Sequence, residues 1–193
     1  MKRFSYLRCL TPAIASIIFW HCLQAKCEIG MVILSNLDSN SPIFWFDGMT
    51  TRLAPMQGTF AQVFGGLMPN QLEPIPTVGY SRDIFPFIEP GFFDGGGGVV
   101  PGTQGGETAW FEVRAWRGGT TWEEAARNPA GFIGRSEIFQ NLVGPSGGPS
   151  GSPANPAVLN APSFTIFPVP EPATWALGLL GMVLLLIAKR RQC

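Results

Sequence analysis

Glycine and proline restrict the fold of this chain more than any other feature, because they recur throughout its central part. Between residues 28 and 169 they fill 37 of 142 positions, as 22 glycines and 15 prolines. Proline lacks a backbone donor and glycine destabilises helix interiors, so no segment here can sustain a long helical repeat. Short apolar segments between turn-forming residues are typical of strands. We therefore predict one mainly β domain over residues 28–168, of the β-sandwich or jelly-roll type.

Seven short apolar segments are the predicted strands: 29–34, 43–46, 59–64, 84–88, 108–116, 132–139 and 164–167. The most regular is 108–116, in which apolar and polar side chains alternate. Alternation of this kind places one set of side chains in a core and the other towards solvent. After this strand, Thr121 and Glu124 have the spacing of a capping box, which predicts one short helix that continues to Arg127.

Two tryptophans, Trp110 and Trp116, lie on the polar side of this alternation, in step with Glu112 and Arg114. The two charged residues can pair with opposite charges on neighbouring strands. Exposed aromatic rings can stack on the apolar faces of sugars. If this side of the strand faces solvent, Trp110 and Trp116 are candidate glycan-stacking residues. The alternative is that their rings fill the core.

Residues 144–162 consist almost entirely of proline, glycine, serine, alanine and asparagine. Their only larger apolar side chains are Val158 and Leu159. A segment of this composition buries too little surface to offset the entropy lost on ordering. We predict a flexible loop here, ahead of the last strand.

Lysine, histidine and cysteine are absent between residues 28 and 169. This part of the chain therefore cannot form a Cys or His zinc site, a Ser-His-Asp triad, a disulfide or a Schiff-base lysine. It contains six arginines and twelve carboxylates, a net charge of −6. Such an acidic surface argues against nucleic acid as a partner. We predict no catalytic residue and no transition-metal site.

Carboxylates and turn residues leave three further hypotheses open. Asp38, Asn40 and Asp47 lie close enough in sequence to supply oxygen ligands to a structural Ca²⁺, and surface turns are the alternative. Asp94, followed by glycines 95–98, could form an ion-binding loop, and a mobile loop tip is the alternative. Paired carboxylates could also hydrolyse glycosidic bonds, but no motif marks a pair.

The N-terminal segment has the features of a secretory signal peptide. Lys2, Arg3 and Arg8 form a charged start, and an apolar stretch of roughly 14 residues follows. That length suits a signal peptide and is shorter than the ~20 residues that span a bilayer. We predict a signal peptide over residues 1–27, exported by the general secretion machinery and removed by signal peptidase. An uncleaved anchor or a buried helix is the alternative.

The C-terminal segment has the features of a membrane anchor. Residues 173–188 form an apolar run, which Lys189, Arg190 and Arg191 follow. As a helix this run covers roughly 24 Å, slightly less than the hydrocarbon layer, and the basic cluster would stay on the cytoplasmic side. We predict a transmembrane helix over 173–188, with a buried C-terminal helix as the alternative.

Pro170, Glu171 and Pro172 stand directly before this apolar run. With the run and the basic cluster, residues 169–193 resemble the PEP-CTERM sorting signal of exopolysaccharide-producing Gram-negative bacteria. The resemblance implies that an exosortase, an integral-membrane cysteine transpeptidase, recognises Pro-Glu-Pro and removes the tail. It further implies transient anchoring in the inner membrane, followed by a location at the cell surface or outside the cell. In this scheme the three residues are recognised as substrate.

The strand Phe111–Trp116 and the tryptophan-bearing helix after it are similar to a recurring ectodomain type found ahead of such signals. This second resemblance implies no known activity. We expect a non-enzymatic structural or adhesive component of the envelope or of its exopolysaccharide matrix. A carbohydrate-binding module and a carboxylate-dependent glycoside hydrolase are the alternatives.

Overall fold

The computed structural model describes residues 28–79, 82–147, 155–170, 178 and 180–182. The predicted signal peptide 1–27 and the basic cluster 189–191 lie outside the described residues. Of the predicted transmembrane helix 173–188, only residue 178 and residues 180–182 are described, and they are helical. Among the described residues, no helix is long and apolar enough to cross a membrane.

Apart from the helical residues 178 and 180–182, the described residues form thirteen strands and one six-residue helix. The elements in chain order are β1 Ile29–Ser35, β2 Phe44–Phe46, β3 Thr51–Leu53, β4 Thr59–Gly66, β5 Glu73–Pro74, β6 Ile84–Glu89, β7 Phe92–Gln104, β8 Thr108–Arg117, α1 Trp122–Arg127, β9 Phe132–Arg135, β10 Phe139–Leu142, β11 Gly144–Pro145, β12 Ala157–Val158 and β13 Thr165–Pro168. The mainly β prediction is confirmed.

All the described strands belong to one open sheet, in the order β11-β1-β7-β6-β4-β8-β9-β13-β2-β3, with β10 paired to β8, β12 to β1 and β5 to β4. Buried side chains of β1, β7, β6, β4, β8 and β13 belong to one apolar core. β3, at one end of this order, is exposed. The largest fully buried side chains on the strands are Val32, Leu34, Val63, Phe85, Phe93, Val100, Phe111, Trp116 and Ile166.

Each of the seven predicted strand segments contains strand, and the prediction missed β3, β5, β7, β11 and β12. The segment 132–139 is divided between β9 and β10, which pair with different parts of β8. Between them lies Ser136, whose amide donates to the Val113 carbonyl (2.8 Å) and whose hydroxyl accepts from the Val113 amide (3.0 Å). The buried serine thus satisfies the central backbone groups of β8 where the chain changes from one strand to the next.

The prediction of a loop around Asp94 and glycines 95–98 was wrong, because these residues lie inside β7 and pair with β1. Glycine is required here by close packing. A Cβ at Gly95 would lie 2.6 Å from the Phe85 ring, and one at Gly98 would lie 2.5 Å from Leu34. The glycine run therefore lets large side chains cover a strand. Glycine usually marks turns, so the sequence alone indicated a loop.

Both ends of the predicted flexible loop 144–162 contain short strands, contrary to the prediction. β11 pairs antiparallel and β12 parallel with β1, and the Asn155 amide donates to the Pro145 carbonyl (3.0 Å). Leu159 is fully buried. Backbone pairing needs no apolar side chains, so a segment poor in them can still extend a sheet. Residues 148–154, in the middle of this loop, lie outside the described part of the chain.

The predicted helix and its cap are confirmed. The Thr121 hydroxyl accepts from the Glu124 amide (3.2 Å), and α1 ends at Arg127, with Asn128 as its C-cap. The Glu124 carboxylate reaches back to Thr120 rather than to Thr121, and accepts from its hydroxyl (2.6 Å) and its amide (2.8 Å). These two hydrogen bonds hold the pKa of Glu124 below its ordinary value. The capped helix is therefore fixed between β8 and β9.

Candidate functional site

The strand β8 separates two surfaces of different chemistry. Its alternate residues Ala109, Phe111, Val113 and Ala115 are fully buried in the core. The other side, which we call the outer face, carries Trp110, Glu112, Arg114 and Trp116 of β8 and, opposite them on β4, Phe60, Gln62 and Phe64. In the predicted strand 59–64 these three β4 residues occupy alternate positions. Their alternation in the sequence was therefore enough to place them on one face of the strand.

Trp116 does not face solvent, and its prediction as a glycan-stacking residue was wrong. The side chain is 0 % exposed. The Phe60 ring stacks beside it with centroids 6.1 Å apart, and the Trp122 ring meets it edge-on at 6.3 Å. Trp122 opens α1, so packing of the helix over the end of β8 converts a surface position into a buried one. Its indole N–H has no hydrogen-bond partner among the described residues.

Trp110, at the opposite end of the outer face, is only partly buried. Its cross-strand neighbours are Gly66 on β4 and Gln140 on β10. A glycine neighbour has no side chain to cover the indole. Of the two predicted stacking residues, Trp110 is thus the one that retains accessible surface.

Glu112 is buried in the middle of the outer face, although the sequence places it among polar residues. It is 4 % exposed. One carboxylate oxygen accepts from Arg114 Nε, and the other lies 3.8 Å from Arg135 Nη1 on the neighbouring strand β9. The predicted pairing of Glu112 with a neighbouring strand is therefore observed through Arg135. Because an unpaired buried carboxylate is costly, removing the arginines while keeping Glu112 would destabilise the domain.

The Arg114 guanidinium packs against two aromatic rings. Its guanidinium carbon lies 4.1 Å from the centroid of Phe64 and 5.8 Å from that of Trp122, and 31 % of the side chain remains exposed. Such cation–π contacts contribute about 0.5–2 kcal/mol each. Opposite Arg114 on β4, Gln62 donates to the Asp83 carboxylate (2.8 Å). The outer face therefore combines an oriented planar cation with amide and carboxylate groups.

The outer face offers two kinds of contact, polar groups and aromatic rings. Sugars present hydroxyls that donate to carboxylates and accept from guanidinium groups, and C–H faces that pack on aromatic rings. Trp110, Arg114 and Trp122 all keep part of their surface accessible on this face. The structure offers both kinds of contact on one rigid sheet surface.

Of the three residues considered as calcium ligands, Asp47 and Asn40 have local structural roles. The Asp47 carboxylate accepts from the amides of Thr50 (2.8 Å) and Met49 (3.0 Å), which hold its pKa below the ordinary value. Asn40 adopts a positive φ of 49° in the turn after β1, next to the exposed Asp38. In the described residues, no group of three or more His, Cys, Asp or Glu side chains is placed to hold a metal ion.

The segment that precedes the apolar tail begins in the sheet itself. β13 pairs with β9, and the Val169 amide donates to the Gly131 carbonyl (2.9 Å). The next residue, Pro170, is exposed. Glu171 and Pro172 lie outside the described residues. The chain therefore passes from a paired strand to the predicted recognition residues without a spacer.

A family model described as the PEP-CTERM protein-sorting motif matches residues 168–192. The match confirms the resemblance drawn from residues 169–193, to within one residue at either end. The motif is a substrate signal for exosortase, and it implies export with membrane-anchored sorting to the surface. No curated protein and no solved structure matches the chain.

Proposed function

We propose that this protein, once sorted to the cell surface or released, is a non-enzymatic structural or adhesive component of the exopolysaccharide matrix. Its β domain, which we take to be of the sandwich or jelly-roll type, would contact polysaccharide through the outer face. The observation that carries the proposal is the sorting motif at residues 168–192, joined directly to a sheet that presents Trp110 and Arg114.

A non-enzymatic role is supported by the state of the carboxylates. Glu112 is the one buried carboxylate among the described residues, and each of its oxygens faces an arginine. Asp47 and Glu124 are engaged by turn and helix-cap amides. These three acids therefore stabilise local structure through hydrogen bonds and ion pairs.

Processing can be tested by the intact mass of the protein recovered from cells with and without exosortase. We expect a species that begins near Lys26 or Glu28 and ends near Pro170 when exosortase is present. Glu171→Ala should retain the tail, because the recognition sequence is lost. The matched control is Glu137→Ala, which removes an exposed carboxylate from the domain and should leave processing unchanged. A tail-bearing mass in unmodified, exosortase-producing cells would mean that the apolar run is a permanent anchor.

Polysaccharide binding can be tested by electrophoresis of the protein in gels that contain matrix polymer from the producing cell. Trp110→Ala should weaken binding about three- to tenfold, the loss expected for one aromatic contact. Arg114→Met should also weaken it, since methionine can still pack on Phe64 but cannot donate hydrogen bonds.

Two further variants keep this binding test interpretable. The double variant Glu112→Gln with Arg114→Met removes both charges of the Glu112–Arg114 pair, so that no unpaired carboxylate is left buried. Arg52→Met is the control, because Arg52 is an exposed arginine on β3, away from the outer face. Unchanged mobility of the Trp110 and Arg114 variants would exclude the outer face as the binding surface.

A further inference from the structure

The chain leaves the sheet very close to the start of its apolar tail. Val169 is still hydrogen-bonded to Gly131, and the apolar run begins at Ala173. Only residues 170–172 lie between them, so the four Cα–Cα steps from Val169 to Ala173 span at most about 14 Å. The headgroup layer of a bilayer is itself about 5–8 Å thick on each side. With the tail inserted, the end of the sheet from which the chain leaves must therefore lie next to the headgroups.

Strand directions show which turns form this end. β2 runs parallel to β13, with Trp45 opposite Ile166, so the turn 47–50 that follows β2 lies beside the last residues of β13. β9 begins opposite Pro168, so the preceding turn 128–131 lies there as well. We call the surface made by these two turns and Phe167 the exit end.

The exit end carries several exposed apolar side chains and one carboxylate. Met49, at the tip of its turn, is 91 % exposed, and Phe167 is 54 % exposed. The second turn presents Pro129 and Ala130, both exposed. Asp47, the carboxylate of the first turn, already accepts hydrogen bonds from its own turn amides. Met49 and Phe167 therefore place two exposed apolar side chains at the end of the sheet from which the chain leaves.

We propose that the exit end is a membrane-contacting surface, which rests on the phospholipid headgroups while the tail is attached and places Met49 in the interfacial layer. This inference depends on the proposed function in one respect, since it requires the tail to anchor the chain. Contact between the exit end and the headgroups would present the domain and Pro170 to a membrane enzyme in a fixed orientation.

The test uses the full chain, with its four cysteines replaced by serine, in phosphatidylethanolamine–phosphatidylglycerol vesicles that carry a headgroup quencher. A fluorophore is attached at Met49→Cys or, as the matched control, at Leu67→Cys. Leu67 is also an exposed apolar residue, but it follows the opposite end of β4, a strand about 26 Å long. We expect quenching at position 49 to be at least twofold stronger than at position 67.

A spacer variant makes the distance argument testable in the same chain. Ten glycine and serine residues inserted between Val169 and Pro170 should reduce quenching at position 49 to the level at position 67. Equal, weak quenching at both positions in the chain without the spacer would overturn the inference, provided that the protein floats with the vesicles. Failure to float would instead show that the tail does not anchor the chain, which contradicts the proposed sorting route.

Discussion

Trp116→Ala should lower the free energy of unfolding of the β domain by about 3–5 kcal/mol, the usual cost of truncating a fully buried tryptophan. The indole is enclosed by Phe60 and Trp122, so its removal leaves a cavity between α1 and the sheet. We expect the loss of unfolding free energy to lie towards the lower end of this range. The lost N–H has no partner among the described residues, so its desolvation cost is removed with it. Urea denaturation followed by circular dichroism would measure the change.

Two variants separate burial from surface recognition. Trp116→Phe keeps a ring in the pocket and should cost less than half as much as the alanine change. Trp110→Ala should cost less than Trp116→Ala because Trp110 is only partly buried. If Trp116→Ala unfolds at the same urea concentration as the native domain, then α1 does not cover Trp116 in solution, and the predicted stacking role would have to be reconsidered.

Gly98→Ala should destabilise the domain by about 1–3 kcal/mol or more, the usual cost of overpacking a core. An added Cβ would lie 2.5 Å from Leu34 Cδ1 and 2.7 Å from Ile75 Cγ2. Both of these side chains are fully buried, so neither can move aside cheaply. The thermal midpoint of unfolding, measured by calorimetry, should fall accordingly.

Gly97→Ala is the matched control, one residue earlier in the same glycine run. Its Cβ would lie 3.2 Å from the terminal methyl of Met31, the flexible end of a long side chain. We expect a change of less than about 1 kcal/mol, because a methionine end can shift and the unfolded chain loses entropy when glycine is replaced. Equal and small effects at both positions would mean that the glycine run is a loop, as the sequence indicated, and not part of β7.

The predictions that succeeded depend on contiguous residues. The density of glycine and proline excluded long helices, and the threonine–glutamate spacing at Thr121 and Glu124 located α1 to the residue. The sorting motif is a local pattern at one end of the chain, so its match at residues 168–192 could be anticipated from the residues alone. Each of these features is decided within about 25 residues, where backbone propensity and local hydrogen bonds dominate.

The outer face shows where local pattern was insufficient. Alternation along β8 identified that Trp110, Glu112, Arg114 and Trp116 share one side of the strand, and this is correct. The alternation could not show how much of the outer face is exposed to solvent. That depends on α1 folding back over the end of β8, which buries Trp116 and leaves Trp110 accessible.

The amino-acid sequence by itself determined the β class of the domain, its capped helix and its exosortase-directed tail, because these depend on composition and on neighbouring residues. The tertiary structure alone decided that glycines 95–98 form a strand, that both ends of 144–162 pair with β1, and that Glu112 is enclosed by two arginines. These outcomes depend on pairing between segments far apart in the chain. Backbone hydrogen bonds and close packing there outweigh the local preference of glycine and proline for turns.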